Sequence, residues 1–372
     1  VLNQSSHTAN LNAQLSPWKH FVVAAGVQTE WAHQEGFGDA LLDNGDDADP
    51  TTGVPAVVSA NHDRFSAEQN VVARFTGIQR TVLFAETRLR QETIGQFEQE
   101  QGGVGDEFLR ATDALNRWQE YRAGFQTSPW RPVSLSSHYK RRYRDSEYDH
   151  DRDVNPATPV GNGYSAFILS RDTSLDEIEA RVTWHALAWL KSSLTYRVTA
   201  TDYRTETASA VVFPARLAPP GGRLLSGNHD AHHLALNATL TPVARLYLSA
   251  TLSWQNSRIV TQETNNPAVA PYKGDVYSIL TTATYALSPK TDLLASYVFS
   301  HADYGQDNDA FGLPLGTVYH SHGLQAGLSR QVTKQVKLNL QYGWYRYDES
   351  SSGGWADYAA HGLFAVVNVR WP

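Results

Sequence analysis

Residues 233–255 read HLALNATLTPVARLYLSATLSWQ. Leu234, Leu236, Ala238 and Leu240 alternate with polar or small residues on one side of Thr241-Pro242-Val243-Ala244. Leu246, Leu248, Ala250, Leu252 and Trp254 do the same on the other side. A period of two marks a β-strand with one apolar face, and two such runs about a short turn mark a hairpin.

The same unit recurs along the chain. Further short turns are read at Ser16-Pro17-Trp18-Lys19, Ser128-Pro129-Trp130-Arg131, Ala188-Trp189-Leu190-Lys191, Ser288-Pro289-Lys290-Thr291 and Val332-Thr333-Lys334-Gln335, with a tight turn near Gly77. Strands are predicted over Thr8–Leu15, Phe21–His33, Arg64–Phe75, Thr81–Arg90, Trp118–Thr127, Val133–Arg144, Glu177–Ala186 and Ser192–Arg204. They continue over His233–Leu240, Leu246–Gln255, Val276–Leu287, Leu293–Tyr304, Leu324–Val332, Val336–Tyr347 and Ala359–Trp371. Between hairpins lie long loops rich in Asp, Asn, Gly, Ser and His, such as Glu35 to Asn61. Short turns at one end, long loops at the other and period-2 strands between them predict a transmembrane antiparallel β-barrel of the bacterial outer membrane, with about 16 strands or more.

Composition agrees with this. Mean hydropathy is −0.42, and no apolar run reaches the ~20 residues of a membrane-spanning helix. A barrel dilutes its hydropathy because only every second residue meets lipid. The 372 residues include 10 Trp and 18 Tyr, many at strand ends where interfacial girdles form. The absence of cysteine excludes disulfides, Cys-ligated metal and CxxCH haem attachment. A net charge of −7 does not suggest a nucleic-acid partner, and no cofactor is indicated.

The competing reading is a soluble β-sandwich or propeller. Against it stand strands longer than the usual ~5–6 residues, charges in mid-strand, and the strict alternation of short and long connections. The first strand descends toward a short turn, whereas an even-numbered barrel that starts in the periplasm begins with an ascending strand. The expectation is therefore one barrel domain over 1–372 lacking at least one N-terminal strand, with Tyr164 to Ser170 as the alternative place for a missed strand.

Alternation sorts the candidate functional residues. Glu30, Glu68, Arg74, Glu86, Arg88, Arg90, Glu120, Arg122, Lys140, Arg142, Glu179, Arg181 and Arg197 fall on the polar face and are expected to line a water-filled lumen. They would either set ion preference or pair across strands and stiffen the wall. Trp31, Phe75, Tyr121, Phe125, Trp184, Tyr196, Trp254, Tyr342, Trp344 and Trp371 fall on the membrane side. An apolar outer wall could meet lipid or identical subunits.

Weak metal candidates are His229, His232 and His233, read as loop residues, and Asp43, Asp46 and Asp47 in an acidic loop. The histidines of YHSH (His320, His322) and His150 are read as loop residues too. Ser136 and His138 share a face, but no orienting carboxylate can be placed beside them, so an outer-membrane hydrolase is the least favoured reading.

Leu363, Ala365, Val367, Val369 and Trp371 resemble the C-terminal signal of outer-membrane proteins, which implies recognition by the barrel-assembly machinery. Pro372 departs from that pattern, in which the aromatic is last. The units SPKTDLLASYVFSHADYG, TKQVKLNLQYGWYRYDE and LAWLKSSLTYRVTATDYRTE look like hairpins of porins that sheathe periplasmic multihaem cytochromes. That resemblance implies an insulating barrel without catalytic residues and a cytochrome in the lumen. The alternatives are thus a porin for small hydrophilic solutes and an electron-conduit sheath. For a porin, Tyr148 to Asp176 is the expected constriction loop.

Overall fold

The computed structural model describes residues 2–42, 54–101, 108–154, 168–207, 224–263, 272–306 and 316–371. They form one antiparallel sheet whose fifteen strands pair in chain order. The strands are β1 (Leu2–Trp18), β2 (Phe21–Leu42), β3 (Val54–Ile78), β4 (Thr81–Gln101) and β5 (Phe108–Trp130). Next come β6 (Val133–Val154), β7 (Ile168–Leu187), β8 (Leu190–Thr207), β9 (Leu224–Val243) and β10 (Leu246–Glu263). The last are β11 (Tyr272–Ser288), β12 (Thr291–Gln306), β13 (Gly316–Gln331), β14 (Val336–Glu349) and β15 (Tyr358–Val369). A short 3-10 turn, Ser350–Ser352, stands between β14 and β15. No helix among the described residues is long and apolar enough to cross a membrane.

All strands but β15 are longer than the alternation predicted, up to 25 residues in β3; β15 has 12 and ends at Val369, two residues before the expected Trp371. The extra length lies at the long-loop end, where both faces are polar and no contrast marks the strand. Much of Glu35 to Asn61 is therefore strand, in β2 and β3, and the described parts of Tyr148 to Asp176, 148–154 and 168–176, are strand in β6 and β7; the rest of that expected constriction loop lies outside the described residues. The described part of Tyr164 to Ser170 opens β7.

The prolines sit differently from expectation as well. Pro17, Pro129 and Pro242 are strand residues next to the turns, at points where the ladder register shifts. Proline has no N–H to give to a ladder, and an irregularity of this kind is where a sheet tolerates it. The first and second hairpins turn through Lys19-His20 and Gln79-Arg80, and His20 (φ 70°) and Arg80 (φ 60°) take the left-handed conformation. A positive φ is uncommon for a residue with a side chain, and the other two-residue turns, at 131–132, 188–189, 244–245 and 289–290, have none.

One register relates all fifteen strands. On the apolar face Leu236 lies opposite Leu194 and Leu252, Leu252 opposite Ile279, Ile279 opposite Phe299, and Leu340 opposite Ala365. Among the described residues no second layer packs on these side chains. Ile178 is 56% and Trp184 51% exposed, and the only buried hydrophobic residues among those described are Ala231, Ala235 and Ala302. A sandwich would bury this face against a second sheet; here it is left for a nonaqueous surrounding.

Because consecutive strands alternate in direction, β1 and β15 run the same way. Among the described residues β1 pairs with β2 alone and β15 with β14 alone. Both edge strands are exposed along almost their whole length.

Candidate functional site

The candidate site is the polar face of β2 to β8. Each of the six seams between these strands carries an ion pair. Glu30 meets Arg64 at 2.6 Å across β2–β3, and Glu68 meets Arg88 at 2.7 Å across β3–β4. Glu86 lies 3.6 Å from Arg122 across β4–β5, and Glu120 lies 2.7 Å from Arg142 across β5–β6. Lys140 meets Glu177 at 2.8 Å across β6–β7, and Arg197 meets Glu179 at 2.6 Å across β7–β8. The last four pairs join residues directly opposite in register; the first two are diagonal. Oppositely charged cross-strand neighbours stabilise a pairing by a few tenths of a kcal/mol to about 1 kcal/mol. The ladder therefore fixes register more than it adds stability.

From β9 onward the same face is neutral through the middle of the wall. Thr251 donates to Asn237 at 2.8 Å, the hydroxyls of Ser253 and Ser278 share a 2.5 Å bond, and Gln341 donates to Gln325 at 2.9 Å. The wall thus has two arcs, one built of ion pairs and one of hydroxyls and amides.

All thirteen charged residues assigned to the polar face share it in this register. Nine of the aromatic residues share the other face; Trp371 follows the end of β15. The sequence reading left out Arg64, Glu92, Trp118, Arg144 and Glu177. Arg64, Trp118, Arg144 and Glu177 stand at the ends of the predicted strands, and Glu92 lies just past one. The first four already fell on the polar parity within those bounds, and one further step of the period-2 pattern from Arg90 would have reached Glu92.

Aromatic rings also stand on the charged face: Phe84, with the Arg122 guanidinium 5.3 Å from its centroid, and Trp118. The Arg88 guanidinium stands 5.2 Å from its ring centroid and that of Arg142 5.4 Å. Cations over an indole face are attracted by its quadrupole.

The metal candidates do not converge. His229, His232 and His233 belong to β9 rather than to a loop. Alternation puts His233 and His229 on the polar face and His232 on the apolar one, where its Nδ1 lies 2.8 Å from the Tyr196 hydroxyl. His320 and His322 lie in β13 and His150 in β6, so these too are strand residues. Asp43, Asp46 and Asp47 lie outside the described residues.

His138, Glu177 and Glu179 bring potential ligand atoms within 4.8 Å of one another. Lys140 and Arg197 already engage both carboxylates, so this group is a hub of the ladder. Ser136 lies opposite Arg181. His138 instead faces Glu177 at 3.3 Å and Arg122 at 3.4 Å. No hydrogen bond joins Ser136 to His138 among the described residues.

On the apolar face, tyrosine hydroxyls mark the end of the apolar band. Tyr196 meets His232, Tyr297 meets His322 at 3.0 Å, and Tyr342 meets His361 at 2.7 Å. Beyond them the same face turns charged, with His33 against Asp63 at 2.6 Å and Arg346 against Asp348 at 2.8 Å. A band of apolar side chains closed by amphipathic rings and then by charges is what a membrane and its interface select. With the two-faced strands and the asymmetry of turns and loops, it defines an outer-membrane β-barrel protein.

No family model matches the sequence, and no curated protein matches it. Among solved structures the chain is similar to the ferric citrate transporter FecA in its unliganded form, with TM-score 0.45 and 10% identity over 92% of this chain and 60% of that one. It is similar to the outer membrane transporter YddB from Escherichia coli, with TM-score 0.42 and 10% identity over 96% of this chain and 56% of that one. The outer membrane channel DcaP of Acinetobacter baumannii gives TM-score 0.37 and 11% identity over 93% of this chain and 97% of that one. The chain thus spans about three fifths of the two transporters' length.

Proposed function

We propose that the chain forms a passive, water-filled conduit for small hydrophilic solutes across the outer membrane. The single observation that supports this is the segregation held in register around fifteen strands. Charges, amides and hydroxyls occupy one face and aliphatic and aromatic groups the other, as a wall between water and hydrocarbon requires. The polar face is the lumen in this reading, and its charged arc gives the field that sorts solutes. The role is transport without chemistry.

Reconstitution into planar bilayers tests it. Discrete, ohmic conductance steps are expected from the refolded protein. Absence of conductance in correctly folded, heat-modifiable protein would sink the proposal. Copurification with a haem-absorbing protein would replace it with the sheath role.

A further inference from the structure

A recess of about 480 Å³ opens on the polar face where β3 to β7 run side by side. Four guanidiniums line it, those of Arg88, Arg90, Arg142 and Arg144, around the edge of Trp118. Three of them are engaged. Arg88 grips both carboxylate oxygens of Glu68 at 2.7 and 2.8 Å, and Arg142 donates twice to Glu120 at 3.0 and 2.7 Å. Arg90 donates to Ser66 at 3.1 Å and to Glu92.

Arg144 is different. It lies directly opposite Trp118 on one side and Thr173 on the other. Among the described residues its side chain forms no ion pair and no hydrogen bond, and it is exposed to the recess. The recess therefore holds one guanidinium fork that no carboxylate occupies.

A fork of parallel N–H donors is matched by the two oxygens of a carboxylate or phosphate. Low-dielectric walls concentrate the field of such a cation. The Trp118 ring already has the Arg88 and Arg142 guanidiniums over it. Recognition here would be of charge and oxygen geometry, without an aromatic requirement. A cation would meet carboxylates already held by arginine.

We propose that this recess is a binding site for small oxyanions, carboxylates or phosphates, with Arg144 as the residue that takes the ligand's oxygens. The inference rests on the polar face being the wet one and names the solute class of the proposed conduit.

Equilibrium dialysis of the refolded, detergent-solubilised chain tests the site without requiring conduction. The probes are succinate, inorganic phosphate and glucose. Saturable binding of succinate or phosphate is expected, weakened about tenfold or more in Arg144→Gln and partly restored in Arg144→Lys. Glucose should not bind. The tighter of the two anions distinguishes a carboxylate from a phosphate source. Arg74→Gln removes another polar-face arginine away from the recess and should leave binding unchanged. Equal loss in Arg74→Gln and Arg144→Gln would mean a diffuse field rather than a site, and absence of anion binding in the native chain would equally overturn the proposal. In bilayers, current without block by either anion would refute the site and spare the conduit. Binding without any current would do the reverse.

Discussion

Moving a charge by one residue along β10 should change its environment from water to hydrocarbon. Ala250 lies near the middle of the apolar run Leu246 to Trp254, opposite Ala238 and Thr281. Ser249, its neighbour, lies on the polar face opposite Thr239 and Thr282. The run spans about eight steps of ~3.4 Å. Tilted by about 40°, it covers roughly 20–25 Å, close to the ~25 Å apolar band of a barrel. Arginine on the lipid face near the midplane costs about 2–4 kcal/mol. That is roughly a 30- to 700-fold loss in folding equilibrium at about 1.4 kcal/mol per tenfold. Ala250→Arg should lose this much stability in urea titrations into lipid vesicles, whereas Ser249→Arg should stay within about 1 kcal/mol of the native chain. Equal penalties, or a larger one for Ser249→Arg, would show that the faces are assigned wrongly, and the conduit and the recess would fall with them.

Other substitutions probe the wall and its rim. Glu68→Gln removes the two-pronged partner of Arg88 and should shift reversal potentials in a salt gradient toward anions; a shift toward cations would contradict the assigned lumen. Hydrogen bonding to Asp63, then to Glu35, raises the His33 imidazole above its ordinary range. That pairing is fully present below the unfolded histidine pKa and is lost as pH rises through the raised value, so Asp63→Asn should move the ring's NMR titration midpoint down. The Arg346 guanidinium holds the Asp348 carboxyl below the usual carboxylate range. Their pairing is present above the unfolded aspartate pKa and is lost as pH falls through the depressed value, so the Asp348 carboxyl carbon shift should titrate at lower pH than in Arg346→Gln. His20→Gly relieves a left-handed residue, worth about 1 kcal/mol, against a backbone-entropy cost of about 0.5 kcal/mol. A gain near 0.5 kcal/mol is expected in the same urea titration.

Much of the architecture was legible because the membrane writes it locally. Leu246 to Trp254 declares a face every second residue, and no distant contact is needed to read it. What was lost lies where that contrast ends. Asp145, Glu147 and Asp149 share the outward face of β6 and are as polar as their neighbours, so the strand looked like a loop there. The same blindness put His229, His232 and His233 together, although alternation separates His232 from the other two. The ion pairs were legible only as a census. Lys140 finds Glu177 through the offset of the β6–β7 connection, and that offset is a property of the assembled ladder rather than of either segment.

The two arcs of the polar face make different demands on a solute. Along β2 to β8 nearly every carboxylate is claimed by an arginine or lysine, so the charge left over is positive while the local fields alternate steeply. A neutral solute gains nothing there, and a cation must displace a guanidinium to find an acceptor. An anion needs only an unclaimed fork. Among the described polar-face cations of these strands, Arg74, Arg144, Arg171 and Lys191 have no partner, and Arg181 reaches only the Ser193 hydroxyl at 3.4 Å. The hydroxyl and amide arc of β9 to β14 offers water-like bonding with no charge to compete. Solute preference on this wall therefore follows from which charges are left over, not from how many there are. Of the cations left over, Arg144 alone lines the recess, and that is what lets one arginine determine where an anion pauses.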